Sequence, residues 1–105
     1  SVPAASLRPP VYIGRGCQID PDAVVGPYAV LGDGCEVGPG AVVADSLLWD
    51  GVIVERGAQV DWTIAASRAR IGANARVARG SVIGHDAAIP PGSEVEENAR
   101  IAVRS

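Results

Sequence analysis

Few side chains in this sequence could do chemistry. The single histidine, His85, is followed by Asp86, and histidine can act as a general base near neutral pH. One histidine cannot form a three-histidine metal centre, and two cysteines make neither a disulfide framework nor a zinc site. We therefore expect no metal site and no cofactor site in this chain. Catalysis by His85 competes with the simpler interpretation of a solvated surface residue.

A second group that could bind a ligand consists of four arginines: Arg68, Arg70, Arg76 and Arg79. Guanidinium groups could hold a phosphate or a nucleotide-linked effector. A solvated face with stacked ion pairs accounts for the same residues, and we expect Arg76 to lie beside Glu94. The sequence leaves open whether an effector binds near these arginines.

The composition excludes several classes of protein. The chain has 105 residues, enough for one domain, and a formal net charge of -3. A mildly acidic chain is a poor nucleic-acid binder, because phosphate contacts need clustered positive charge. No apolar run approaches the length of a membrane span, and no secretion signal is visible. We expect a cytoplasmic protein without nucleic-acid or membrane partners.

The elements that must position these residues follow from a repeat of six residues. Two series of aliphatic residues are spaced by six without exception: Ile13, Ile19, Val25, Leu31, Val37 and Val43, then Ile71, Val77, Ile83, Ile89, Val95 and Ile101. Neither a helix of period 3.6 nor a plain alternating strand produces this spacing. The pattern is therefore an internal structural repeat.

The other positions of each hexad predict a strand followed by a corner. The fourth residue after each aliphatic is small, as at Cys17 and Cys35, and only Leu47 is large. Turn pairs occupy the corners: Arg15-Gly16, Asp33-Gly34, Pro39-Gly40, Ala73-Asn74 and Pro91-Gly92. Three hexads then close a triangular coil of 18 residues, with aliphatic and small residues pointing inward. Both cysteines are expected to be reduced, structural thiols stacked on neighbouring coils.

The period slips twice, since Val43 to Val54 and Val60 to Ile71 each span 11 residues. We place the intermediate inward positions near Trp49 and Ala66. The predicted coils are 13–30, 31–48, 49–65, 66–82 and 83–100, with a partial sixth. Residues 1–10, rich in proline, are predicted to be an extended linker, and residues 11–105 the folded domain.

This pattern resembles the hexapeptide-repeat family over residues 11–103. The resemblance implies an all-β fold, a single-stranded left-handed parallel β-helix of about five triangular coils. In acyltransferases of this family a histidine acts as general base, and some have a His-Asp pair at the corner positions of His85 and Asp86. Their active sites usually need an additional loop or a neighbouring subunit, and no insertion here exceeds the hexad plan.

Outward positions after the small residues carry aliphatic side chains rather than charges: Val24, Val30, Val42, Leu48 and Val82. Adding one coil length to Val24 gives Val42, and to Val30 gives Leu48, so we expect an exposed stripe on adjoining faces. Aligned apolar residues of this kind indicate a contact surface. The partner would be another copy of the chain or a missing domain. Trp62 is predicted to join this contact from an outward corner, and Trp49 to pack in the core.

The slipped segment carries a more specific resemblance. It reads Ser46-Leu47-Leu48-Trp49-Asp50-Gly51-Val52, and one hexad later Thr63-Ile64. This stretch resembles the C-terminal domain of mannose-1-phosphate guanylyltransferase and related nucleotide-sugar pyrophosphorylases. The resemblance implies a separate N-terminal catalytic domain, which would use Mg²⁺, preceding Ser1.

On this interpretation the chain is a structural and oligomerisation module of a sugar-phosphate nucleotidyltransferase and is not catalytic by itself. Two alternatives remain: a hexapeptide-repeat acyltransferase with His85 as general base, and a stand-alone self-assembling scaffold. The sequence does not give the nucleotide, the sugar or the subunit number.

Overall fold

The computed structural model describes residues 6–103. Within that range the backbone forms sixteen short β-strands of two or three residues each. In chain order they are β1 Val11–Ile13, β2 Gln18–Ile19, β3 Val24–Val25, β4 Ala29–Leu31, β5 Glu36–Val37, β6 Val42–Ala44, β7 Ser46–Leu48, β8 Ile53–Val54, β9 Gln59–Asp61, β10 Ile64–Ala65, β11 Arg70–Ile71, β12 Arg76–Val77, β13 Val82–Ile83, β14 Ala88–Ile89, β15 Glu94–Val95 and β16 Arg100–Ile101.

Every third strand belongs to the same parallel sheet, so the chain winds as a left-handed β-helix of triangular section. The first face contains β1, β4, β7, β10, β13 and β16. The second face contains β2, β5, β8, β11 and β14, and the third face β3, β6, β9, β12 and β15. The molecule measures 37 × 21 × 20 Å. These observations confirm the predicted fold class.

The interior is a stack of aliphatic layers, one layer per coil. Leu31, Val43 and Ile83 are each 0% exposed, and the small residues Ala41 and Ala75 are equally inaccessible. Each buried side chain meets the equivalent side chains one coil above and one below, because the strands pair in parallel about 4.8 Å apart. The hexad rule therefore reports the packing of one prism edge after another.

The corners follow the predicted turn chemistry. Gly16, Gly34, Gly40 and Gly92 have φ between 71° and 74°, and Asn74 has φ of 62°. These are left-handed conformations that glycine and asparagine adopt most readily. The second residue of each predicted turn pair is thus the one that turns the chain.

Glycine is needed for another reason at Gly32. The carboxylate of Asp50, one coil above, accepts a hydrogen bond of 2.8 Å from the Asp33 amide. A Cβ on Gly32 would collide with that carboxylate and would lie 2.8 Å from the Asp50 amide nitrogen. The same arrangement recurs one coil below, where Asp33 accepts from the Arg15 amide at 2.8 Å. These aspartates link successive coils along one corner of the prism.

The slips occur at the corner between the third and first faces. Leu31 pairs with Leu48, and Leu48 with Ala65, so these two residues occupy the inward positions. The predicted inward positions at Trp49 and Ala66 are therefore wrong by one residue. The affected coils become 31–47, 48–64 and 65–82, and Leu47 points outward instead of filling a small inward slot.

Hydroxyl side chains occupy the small slots next to the shortened corners. Ser46 Oγ donates a hydrogen bond to the Ala44 carbonyl at 2.7 Å, and Thr63 Oγ1 donates to the Asp61 carbonyl at 2.8 Å. The Thr63 amide in turn donates to Ser46 Oγ at 3.1 Å. Ser46 and Thr63 are the residues of the slipped segment on which the more specific resemblance rests.

Part of the predicted linker packs onto the β-helix. Leu7 forms a parallel bridge with Val25, and Ser6 is 1% exposed, with its Oγ donating to the Asp20 carbonyl at 2.9 Å. The first coil is thus covered by residues that the sequence assigned to a linker. Residues 1–5, the rest of the predicted linker, lie outside the described residues, as do residues 104–105. Along residues 6–103 there is no helix long and apolar enough to span a membrane.

Candidate interface on the first face

A continuous column of apolar side chains runs along the outside of the first face. Strand register aligns Tyr12 with Val30 and Val30 with Leu47. It then aligns Leu47 with Ile64, Ile64 with Val82, and Val82 with Arg100. Five consecutive levels of the sheet therefore present an apolar side chain to solvent before the first charge. We call these five residues and Arg100 the apolar column.

Aromatic side chains flank the apolar column at both of its corners. Tyr28 and Trp62 stand at the corner with the third face, 65% and 54% exposed, and Trp49 stands at the opposite corner. Tyr28 and Trp62 have φ of 59° and 48°, conformations that bulky residues rarely adopt. Backbone strain of this kind is found disproportionately at functional sites. Tyr28 and Trp62 bound a groove of about 590 Å³ whose floor includes Leu47 and Ile64.

The other two faces do not share this character. The second face presents, in coil order, Gln18, Glu36, Ile53, Arg70 and Ala88. The third face presents Val24, Val42, Gln59, Arg76 and Glu94. Apolar residues thus extend along the whole height of the first face only, which identifies it as the contact surface that a soluble protein would have to cover.

The predicted stripe divides between two faces. Val30 and Val82 lie in the apolar column, while Val24 and Val42 pair with each other on the adjoining third face. The prediction of Leu48 as an interface residue is wrong, because Leu48 is 0% exposed and forms part of the core. Its place is taken by Leu47, since the shortened corner moves the register by one residue.

The two tryptophans have different outcomes. Trp62 is at an exposed corner beside the apolar column, as predicted. Trp49, predicted to pack in the core, is 44% exposed because Leu48 takes the inward position next to it. Tyr12 and Ile64 were missed altogether. Tyr12 precedes the first regular hexad, and Ile64 lies between the two slips, so neither follows a regular coil spacing from the residues of the predicted stripe.

His85 lies at an exposed corner, and its ring meets the edge of Trp49 with centroids 5.5 Å apart. Asp86 is bound by Arg68, whose Nε and second guanidinium nitrogen donate to the two carboxylate oxygens at 2.7 and 3.1 Å. This hydrogen bonding lowers the pKa of Asp86 and raises that of Arg68. The Asp86 carboxylate is therefore engaged by an arginine from the coil below and does not orient the imidazole as a catalytic carboxylate would.

The four arginines do not come together. Arg68 occupies a corner, and Arg70 lies on the second face, where its Nε donates to Glu55 at 2.7 Å and lowers the pKa of that carboxyl. Arg76 pairs in register with Glu94 on the third face, as predicted. Arg79 lies at the remaining corner, 5.9 Å from the Trp62 ring. Their distribution around the prism does not create a common phosphate site.

The two cysteines are free and buried. Their thiols donate to carbonyl oxygens of the next coil, Cys17 to Gly32 at 3.1 Å and Cys35 to Trp49 at 3.0 Å. Burial raises the pKa of Cys35 to about 11, so this thiol stays protonated at neutral pH. Over residues 6–103 no three His, Cys, Asp or Glu side chains are grouped closely enough to hold a metal ion.

Solved structures with the same fold include acetyltransferase domains. The chain is similar to the acetyltransferase domain of PglB from Neisseria gonorrhoeae FA1090, with 27% identity and a TM-score of 0.81 over 92% of the chain. The same domain in complex with acetyl coenzyme A gives 27% identity and a TM-score of 0.80 over 91% of the chain. The chain spans about half the length of these structures, 50% in each case.

Sequence comparison is more discriminating than the fold. None of the curated proteins matches the chain. The family model described as the GMPPB C-terminal domain matches residues 7–103, which include both shortened corners, Ser46 and Thr63. This match covers nearly the whole chain, and the chain therefore belongs to the GMPPB C-terminal domain family.

Proposed function

We propose that this chain is the structural and oligomerisation domain of a cytoplasmic sugar-phosphate nucleotidyltransferase of the mannose-1-phosphate guanylyltransferase type. Its role is assembly, and catalysis belongs to a separate N-terminal domain that would use Mg²⁺. The observation that carries the proposal is the apolar column, which gives a member of this family a surface suited to protein contacts.

The distribution of polar groups supports an assembly role. The titratable side chains that could catalyse a reaction are dispersed, with His85 at a corner and Asp86 engaged by Arg68. The first face, by contrast, concentrates aromatic and aliphatic side chains, the residue types that are enriched in protein interfaces. The partner on this face is another copy of the chain or the catalytic domain.

The experiment that tests this proposal is a double substitution on the first face. Val30→Asp with Ile64→Asp places two charges in the apolar column at positions 42% and 43% exposed, so the fold should tolerate them. We expect the mass in solution, measured by analytical ultracentrifugation, to fall to that of a single chain while the melting temperature changes little.

Val24→Asp with Val42→Asp is the matched control, because these residues form an equivalent pair on the third face. The control should retain the mass of the parent protein. Loss of association in the control alone would move the contact to the third face. An unchanged mass in both variants would contradict a role of the β-helix in assembly.

A second candidate is an acetyltransferase with His85 as general base, favoured by the likeness to the acetyltransferase domain of PglB in complex with acetyl coenzyme A. This candidate requires that the chain bind acetyl coenzyme A and that His85→Ala abolish acetyl transfer. Titration calorimetry with acetyl coenzyme A is the direct measurement. Absence of heat at millimolar ligand would exclude this candidate and leave the assembly role.

A further inference from the structure

We propose that two copies of this chain pack first face against first face with their prism axes antiparallel. The twofold axis lies along the strand direction, between the levels of Leu47 and Ile64. The inference rests on the proposed function, since it takes the first face as the contact surface, and it adds the partner, the symmetry and the residue pairing.

The apolar column is self-complementary in this orientation. It contains six levels, in the order Tyr12, Val30, Leu47, Ile64, Val82 and Arg100. A twofold axis at its centre brings the first level of one copy opposite the sixth of the other. Val30 then meets Val82, Leu47 meets Ile64, and Tyr12 meets Arg100. Each contact occurs twice, as an isologous interface requires.

The charged end of the column finds a suitable partner in this arrangement. One nitrogen of Arg100 donates to the carbonyls of Gly80, Asn98 and Ala99 at 3.1, 2.9 and 3.1 Å, which anchors the guanidinium at the end of the first face. Its opposite in the partner copy is Tyr12, whose ring is 64% exposed. A guanidinium over an aromatic ring is a favourable cation–π contact.

The corner with the third face follows the same symmetry. A rotation about the strand direction keeps this corner opposite itself and exchanges the second level with the fifth. Tyr28, before the second level, then faces the turn of Arg79 and Gly80, before the fifth. Tyr28 is exposed, and Arg79 already approaches an aromatic ring, that of Trp62, in its own chain. The pairing therefore adds a second contact between an arginine and a tyrosine.

A parallel arrangement of the same two faces is less favourable. Each level would face the same level of the partner copy, so Arg100 would oppose Arg100 at the end of the column. The two corners of one level would also meet, which brings Asp45 towards Asp50 of the other copy. Like charges placed opposite each other across an interface cost free energy and select against that orientation.

The available area suits a dimer. The exposed aromatic and aliphatic side chains of this face offer roughly 600 Å² together, taking about 200 Å² for a fully exposed aromatic residue. Standard interfaces cover about 800 Å² on each partner, and the polar rim supplies the remainder. A catalytic domain as the occupant would need no such symmetry within the column, and the experiment below separates the two.

The test uses two single substitutions, Val30→Cys and Val82→Cys, on chains with different tags. A short bismaleimide joins two thiols that face each other across a sheet-on-sheet contact. Antiparallel packing predicts cross-linked dimers when the two variants are co-expressed, and none when either variant is treated alone. The parent protein is the control for the native thiols, because Cys17 and Cys35 are 3% and 0% exposed and should not react.

Cross-linking of Val30→Cys with itself would overturn the antiparallel arrangement, and so would a complete absence of cross-links. The mass of the parent protein in solution then decides the fate of the proposed function. A persistent oligomer would preserve the assembly role with another geometry, whereas a monomer would remove both. A further expected result is that Arg100→Ala weakens dimerisation about tenfold, since it removes two symmetric contacts, while Arg76→Ala on the third face does not.

Discussion

The regular corners of the prism and its two shortened corners close the same triangle with different numbers of residues. Between the third and first faces, three residues, Ala78 to Gly80, separate Val77 from Ser81 in a regular coil. In a shortened coil only Ala44 and Asp45 separate Val43 from Ser46. In both kinds the last corner residue has positive φ, 79° at Gly80 and 50° at Asp45.

The comparison teaches that the inward pattern is preserved and the outward pattern is not. The corner loses one residue, and the next inward position still receives a small side chain, Ser46 instead of an alanine. The residues that follow are all displaced by one relative to the hexad count. Leu48 becomes core and Leu47 becomes surface for this reason, and the displacement completes the apolar column on the first face.

The largest expected effect compares the two adjacent leucines. Leu48→Ala should lower the free energy of unfolding by about 2–5 kcal/mol, because it leaves a cavity in the core. Leu47→Ala, on the outside of the same strand, should lower it by less than about 1 kcal/mol. Urea unfolding of the two variants measures both values. A greater loss from Leu47→Ala would restore the uninterrupted hexad register.

An intermediate effect compares hydroxyls at a shortened and a regular corner. Ser46→Ala should cost about 1–3 kcal/mol, because it leaves the buried Thr63 amide without its acceptor. Ser81 Oγ only donates, to the Ala78 and Glu96 carbonyls at 2.7 and 3.0 Å. Ser81→Ala should therefore cost less, about 1 kcal/mol. Equal losses in thermal unfolding would mean that the Ser46 hydroxyl does not support the next coil.

The smallest expected effect concerns the ion pair that joins a shortened coil to a regular one. The Arg68 guanidinium lowers the pKa of Asp86 below its ordinary value of 3.8, so the pair stabilises the folded state above that pH. This contribution is lost as the pH falls through the lowered pKa. Both side chains are exposed, 64% and 52%, so solvent screens the interaction and the loss should be slight.

Asp86→Asn should accordingly flatten the acid limb of the stability curve below about pH 4 and change little at pH 7. Urea midpoints measured at several pH values, in low and high salt, provide the readout. An unaltered acid limb in the variant would show that the ion pair does not form in solution.

The hexad pattern was sufficient to predict the architecture, since every regular hexad places one strand and one corner. It predicted the stacked pairs Arg76 with Glu94 and Val24 with Val42, because these pairs lie within runs of regular length. It could not place the missing residue, which any corner of the slipped segment could have lost. Leu47 and Leu48 are identical in type, so hydrophobicity could not decide which of them points inward.

The chemistry of the corners shows the same limit. The exposed position of His85 followed from the corner chemistry of the hexad. The engagement of Asp86 by Arg68 did not, although the two residues are one regular coil length, 18 residues, apart. A search for opposite charges at that separation would have found this pair and reduced the weight of a His-Asp couple.

Because coils of 17 and 18 residues both close the triangle, single-residue deletions at a corner provide an evolutionary route that point substitution lacks. One deletion exchanges every exposed residue of a strand for its neighbour in the sequence, while the buried slot is refilled from the same segment. The surface of one face can thus be rewritten in a single genetic event without a destabilised intermediate. In a lineage of such proteins, specificity for a partner could change faster than the fold that displays it.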